Sequence, residues 1–320
     1  MFKFKFFSKK NIFFLIIIII IFALSAIYYK NHTSSNKKHN TGYRLQIKKE
    51  NSDLSNFSMN TNKQDDKFNC DVIFTNNSPK NSKFSLTLYL NYNQISFDTN
   101  ESEYSNTYDF DLDSNNSKTI SISIPTEQIL YENNSLIFNI TAGIDKHACN
   151  VGEPTNSFGI NAEYNLKLDT SETELENQLV PDSEYTPITI NNNFSGIIMN
   201  QDFKTLNEIH KPNNAIHVQS GQDVKLALRF GGYANINNYL LFLILNNEQI
   251  SINGSQKYLL FKDLDSNLKY KIINFKAPEK KGQYELWTLM AKNPLQFQDN
   301  PLTSRRRSLD YSHRITLIVE

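Results

Sequence analysis

Leu88-Tyr-Leu-Asn-Tyr-Asn-Gln-Ile-Ser-Phe97 and Leu243-Ile-Leu-Asn-Asn-Glu-Gln-Ile-Ser-Ile252 are one segment written twice. Leu88, Leu90, Asn91, Gln94, Ile95 and Ser96 are identical to Leu243, Leu245, Asn246, Gln249, Ile250 and Ser251, at a shift of 155 residues. Each copy sets apolar runs on either side of an Asn-rich step, the pattern of a β-hairpin. A period this long repeats whole domains; solenoid units run to roughly 20–50 residues.

Outward from the repeat, the anchors keep nearly the same spacing. Phe74 falls against Phe230 at 156 and Pro125 against Pro278 at 153. Ile137-Phe138-Asn-Ile140-Thr-Ala142 falls against Leu286-Trp287-Thr-Leu289-Met-Ala291 at 149, which makes the lone Trp287 a core residue. The body has no long helical period but many short alternating runs separated by Asn, Ser, Asp and Gly. These predict strands at 68–74, 84–90, 119–124, 136–142 and 164–168, and again at 224–230, 239–245, 270–275, 284–290 and 314–319. The expected fold is all-β, with two related sandwiches over 43–169 and 188–320. Between them 170–187 reads as an extended acidic linker with Glu172, Glu174, Glu176, Asp182 and Glu184. A short helix over 173–179 would change little.

Ala277-Pro-Glu-Lys-Lys-Gly-Gln-Tyr284 places Pro, Gly and then Tyr at the entry to a long strand. This resembles the tyrosine corner of immunoglobulin-like domains. The whole arrangement resembles tandem immunoglobulin-like bacterial surface domains on a membrane anchor. The first repeat departs from the corner: Pro125 is kept, but Asn134 and Ser135 stand where Gly-Gln-Tyr would be. The resemblance implies a fold class and assigns no ligand.

The first eleven residues carry four lysines and no acid, and 12–29 is uncharged with an unbroken Ile16–Ile21 run. At about 1.5 Å per residue that run nearly spans a bilayer core as a helix. The preceding lysines predict a cytoplasmic tail over 1–11, a transmembrane helix over 12–29, a polar tether over 30–42 and everything beyond outside the cell. The alternative is secretion after cleavage near Ser25, before Ala26.

Lys+Arg and Asp+Glu are 33 each, giving net charge +0, which argues against a nucleic-acid binder. With 12% aromatics the chain is too rich in core-forming residues for disorder, and 2 Cys exclude a disulfide-stapled or structural zinc module. Charge is uneven: 50–176 holds 20 acids against 7 bases, and 180–320 holds 13 against 16.

Cys70 alternates with Phe68, Val72 and Phe74, so it faces the first core. A bridge to Cys149 would stabilise by roughly 4 kcal/mol through chain entropy. Against it stands an offset along the sheet of roughly 13 Å. The sequence leaves the pairing open. Asp145, His147 and Cys149 share one side of an extended segment, but a polar loop is the preferred reading over a metal or thiol site. A membrane anchor with a His, a Cys and arginines is also similar to sortases, but their Thr-Leu-x-Thr-Cys strand is absent. Asp109, Asp111 and Asp113 resemble the start of an EF-hand loop, yet Ser114 and Ile120 replace its Gly and Glu. They read better as the outer face of a strand with Tyr108, Phe110 and Leu112 inward.

Arg305, Arg306 and Arg307 form a run of three bases able to grip phosphate or carboxylate bidentately, although a solvated loop is the preferred reading. No catalytic constellation, cofactor or metal site is expected. The expected role is a membrane-anchored, non-enzymatic surface protein binding another protein or an anionic envelope polymer. The alternative is an accessory subunit of a membrane complex such as an exporter.

Overall fold

Alternating residues of the first half form ten strands. They are β1 (Tyr43–Lys48), β2 (Ser58–Thr61), β3 (Lys67–Asn76), β4 (Ser82–Leu90), β5 (Asn93–Ile95), β6 (Asp98–Thr99), β7 (Thr107–Leu112), β8 (Ser117–Pro125), β9 (Asn133–Ala142) and β10 (Gly159–Leu168). The computed structural model describes residues 42–49, 58–148, 159–169, 184–188, 194–201, 213–294, 296 and 309–320. These belong to one compact unit, Gly42–Glu320. The expected tail and membrane helix, Cys149 and Arg305–Arg307 lie outside the described residues. Among the described residues no helix is long and apolar enough to cross a membrane.

One sheet runs β1-β3-β8-β6; the other runs β2-β10-β9-β4-β5, with β7 also on β4. In chain order this is the A-B-E-D and G-F-C arrangement of immunoglobulin sandwiches. Phe68, Val72, Phe74 and Ile120 from one sheet meet Phe84, Leu88 and Phe138 from the other in a single core.

The second half adds β11 (Thr186–Ile188), β12 (Gly196–Asn200), β13 (Ala215–Val218), β14 (Asp223–Gly231), β15 (Tyr239–Leu245), β16 (Glu248–Ile250), β17 (Leu259–Phe261), β18 (Leu268–Lys276), β19 (Gly282–Lys292), β20 (Asp310–Tyr311) and β21 (Ile315–Val319). Its sheets run β11-β18-β14-β12 and β13-β21-β19-β15-β16, with β17 on β15 and β20 on β19. Both halves close one sheet the same way, β2 running parallel to β10 and β13 parallel to β21. They differ at one edge, and β20 on β19 has no counterpart among the described strands of the first half. The place β6 takes beside β8 is filled by β11 beside β18. Thr186 and Pro187, read as linker, are therefore part of a sheet. Pro187 is tolerated because β11 is an edge strand.

The repeated segment folds as the same hairpin twice. Asn91 and Tyr92 have φ of 51° and 64°, and Asn246 and Asn247 have 49° and 67°, the two left-handed residues that a type I′ turn requires. Asn suits this conformation, and the bulky Tyr92 does not. Its hydroxyl donates to Glu163 Oε1 at 2.8 Å, one bond that secures it there. Asn91 Oδ1 accepts from Ser135 N at 2.9 Å, and Asn246 Oδ1 from Glu285 N at 2.7 Å. Ser135 and Glu285 are thus equivalent, at a shift of 150.

That corrects the shift of 149 read from the sequence. The ladders agree: Tyr89 stands opposite Ile137, and Ile244 opposite Trp287. A one-residue slip exchanges the faces of a strand. Trp287 accordingly points away from the second core and toward the first sandwich, though it is buried. Alternation could not set this phase, because β9 and β19 are buried on both faces.

The tyrosine corner is present. Tyr284 hydroxyl donates to the Lys280 carbonyl at 2.7 Å. In the first sandwich Asn134 does the equivalent work with its amide, which donates to the carbonyls of Tyr131 and Leu166 and accepts from Asn91.

Candidate functional site

The faces that an isolated sandwich would show to water from β4-β9-β10 and β15-β19-β21 are packed on each other. Tyr89 packs on Phe242 with ring centroids 4.9 Å apart and the rings tilted by 53°, and Tyr89, Tyr92 and Ile137 belong to the apolar cluster of the second half. Around them the contact is polar. Gln94 and Gln249 exchange hydrogen bonds, each backbone N–H donating to the other's Oε1, at 2.7 and 2.6 Å. Their amide nitrogens reach the Asn247 and Tyr92 carbonyls, both at 2.9 Å.

Farther out, Asn161 accepts from Leu309 N–H at 2.7 Å and donates to its carbonyl at 3.0 Å, a side chain imitating a strand. Arg314 donates to the carbonyls of Ala142 and Gly143 while its guanidinium lies 5.4 Å over Trp287. Glu285 accepts from Thr316 and the Ala148 N–H, and its Oε1 lies 3.1 Å from His147 Nδ1.

An open concavity lies on the outer face of β1-β3-β8-β6. It is a groove of about 1080 Å³. Its floor is the polar half of the alternation: Asn69 and Asp71 from β3, Ser121 and Ser123 from β8, Lys48 from β1 and Asp98 from β6. Cross-strand pairs organise it. Ser121 donates to Asp71 at 2.7 Å, Ser123 donates to Asn69, and Lys67 bonds Asp98 at 2.7 Å. The lysine bond holds the Asp98 carboxyl below its ordinary range.

At the inner end lie Thr61, Lys49 and Cys70. The Lys49 ammonium sits 4.5 Å over the Phe68 ring and donates to the Asn60 carbonyl. Desolvation lowers its pKa, against the opposing pull of Cys70 and Asp65. Thr61 is 6% exposed, and its hydroxyl has no hydrogen-bond partner among the described residues.

Cys70 is a free, buried thiol. Burial raises its pKa, so it is a poor nucleophile. Its repeat counterpart is Leu226, so it fills the place of a small hydrophobe. Cys149, whose pairing with Cys70 the sequence leaves open, is outside the described residues. His147 faces Glu285, and Asp145 is exposed. Asp109 and Asp111 point outward from β7, with Tyr108, Phe110 and Leu112 inward, as the pattern predicted. Among the described residues no cluster of three His, Cys, Asp or Glu is arranged to hold a metal. The groove itself was not foreseen. Its residues read as an ordinary solvent face, and only the meeting of five strands with the β2–β3 turn makes the concavity.

No protein-family model matches the chain. No curated protein matches it. Among solved structures it is similar to red sea bream transglutaminase at 12% identity and TM-score 0.24, covering 88% of this chain and 31% of that one. It is also similar to WR4, a C. elegans MSP family member, at 14% and 0.23, covering 40% and 100%. A third is the calcium binding domain CBD12 of CALX1.1, at 8% and 0.22, covering 80% and 96%. This chain spans under a third of the transglutaminase. Likenesses of this size carry no argument, and the fold rests on its own strand order.

Proposed function

We propose that this chain is a membrane-anchored, non-enzymatic interaction protein that presents its paired sandwiches outside the cell. The observation carrying the reading is the groove on β1-β3-β8-β6. It is open, polar and floored by side chains fixed in register. A preorganised polar surface on a rigid sheet is suited to binding. The anchor is the apolar run over 12–29, and Arg305–Arg307 supply a second contact, for an anionic polymer or acidic protein.

The test uses Ser121→Cys on the groove floor of the full chain. With Cys149 also changed to Ser, a membrane-impermeant maleimide should label it in intact cells as fully as after permeabilisation, while Cys70 stays unlabelled. Labelling only after permeabilisation would overturn the placement. A mature N-terminus at Ala26 would replace the anchor with secretion.

A further inference from the structure

We infer that the free edge of β8 over Ser117–Ile120 takes an extended segment of a partner polypeptide as an added antiparallel strand, with an aromatic side chain seated at Phe110. The inference rests on reading the chain as an interaction protein, and it adds a contact that the groove does not supply.

The repeat carries the argument. Lys118 stands opposite Phe74 and Lys269 opposite Phe230, so β8 and β18 match at a shift of 269 − 118 = 151. Low on both strands the edge is met by the loop after the hairpin. Asp98 pairs with Ser123, and Asn253 bonds Asn274 through its own N–H and Oδ1, at 2.7 and 3.0 Å. Higher up the halves part. β11 pairs with Leu268, Lys269 and Tyr270. The counterparts Ser117, Lys118 and Thr119 meet no strand on that side among the described residues. Ser117 and Thr119 are exposed. Asn100 N–H donates to the Ser121 carbonyl at 3.1 Å from the same side. Hydrogen-bonding direction alternates along a strand, so the N–H and C=O of Ser117 and Thr119 also point there. They form the template that β11 completes in the second half, and an extended peptide can complete it here.

The side chain of the partner is specified in the same way. Tyr185, just before β11, sets its ring edge-on to Phe261 with centroids 6.0 Å apart. Tyr239 stands opposite Phe261 and Phe84 opposite Phe110, so Phe110 is the counterpart of Phe261. In the first half Lys118 covers this rim. Its ammonium lies 5.3 Å from the Tyr108 ring centroid, 5.8 Å from that of Phe110 and 3.1 Å from Glu101. The side chains of Lys118 and Glu101 are 25% and 48% exposed, so an arriving ring can draw this weak pair aside. A lysine at an edge also discourages indiscriminate pairing. Charge sets the flanks of the partner. The first half holds 20 acids against 7 bases over 50–176, which favours basic residues beside the added strand and disfavours a second copy of the same edge.

The experiment uses the full chain in detergent micelles, with fluorescence anisotropy and amide hydrogen exchange. The probe is a labelled peptide of sequence Tyr185–Ile188 with lysines at both ends. Control peptides carry aspartates at the ends, serine for the tyrosine, or proline for the threonine that would face Thr119. The lysine peptide should bind, release as salt rises, and slow exchange over 117–120. Serine for tyrosine should weaken it about tenfold, as for loss of an aromatic anchor. Proline in the peptide, or Thr119→Pro in the chain, should weaken it about fivefold by removing one ladder donor. A melting temperature matching the parent verifies that Thr119→Pro folds, and the proline peptide tests the same bond on the unaltered chain. No binding, equal binding of any control peptide, or slowed exchange only outside 117–120 would overturn the inference. A Thr119 amide already slow to exchange in the free chain would overturn it by giving the edge to a second copy. The Ser121→Cys labelling result decides the wider reading independently.

Discussion

Gln94 and Gln249 hold the same position in their repeats, 155 residues apart, and each supplies both donor and acceptor to the other. The contact between the sandwiches thus has the reciprocity of a two-fold homodimer interface within one chain. Its consequences are measurable.

The two glutamines should behave as a coupled pair. Gln94→Ala or Gln249→Ala each leaves a half-buried N–H without its acceptor and should cost about 1–2 kcal/mol. The double variant should cost less than the sum, with a coupling of about 1 kcal/mol in urea unfolding. Strict additivity would show that the bonds are independent.

Arg314 should bind the sandwiches together more strongly than any exposed charge. Arg314→Met removes the donors to Ala142 and Gly143 and the positive charge that acts on the buried Glu285, costing about 3 kcal/mol. Trp287 is the sole tryptophan and lies under Arg314, so its fluorescence reports this contact directly. The variant should lower the urea midpoint by fluorescence and by circular dichroism together. A fluorescence change that precedes loss of strand signal would mean that the halves separate before they unfold.

His313 should weaken the fold in mild acid. Burial pushes its pKa down to about 4, and its Nε2 has no hydrogen-bond partner among the described residues. In an unfolded chain histidine titrates near about 6.5. Between those values the unfolded state holds the extra proton, so stability rises with pH across the window and falls as pH drops through it. The full effect is about 3 kcal/mol. His313→Leu should flatten that part of the curve, read as urea midpoints between pH 4 and 7. An unchanged slope would remove His313 as its cause.

The two corner devices should differ in strength. Tyr284→Phe deletes one exposed hydroxyl bond and should cost about 1 kcal/mol. Asn134→Ala removes a fully buried amide bonded to Tyr131, Leu166 and Asn91, and should cost about 3 kcal/mol. Equal losses would mean that burial around Asn134 adds nothing.

The repeat, the hairpins and the inward faces were legible in the sequence because each leaves a local period. Phe68, Cys70, Val72 and Phe74 alternate as the core demands, and Asn91 and Asn246 mark their turns. The contact between the sandwiches was hidden for the same reason. Strands buried on both faces lose their alternation, so the phase of Ile137 against Trp287 slipped by one residue. β11 was missed because three residues at an edge are too short to show a pattern. The groove depends on side chains from five strands that no local rule brings together.

In two separate copies of a self-pairing domain, any substitution appears on both sides of the contact at once. A residue that improves one half-contact must also tolerate its own image. Here the sides are encoded separately, and the difference is visible away from the axis. Near Gln94 and Gln249 the bonds match in pairs, whereas Arg314 faces bare carbonyls and Glu285 faces His147, neither with a mirror counterpart. Covalent fusion lets each half change alone, so one outer face can carry a groove that the other need not share.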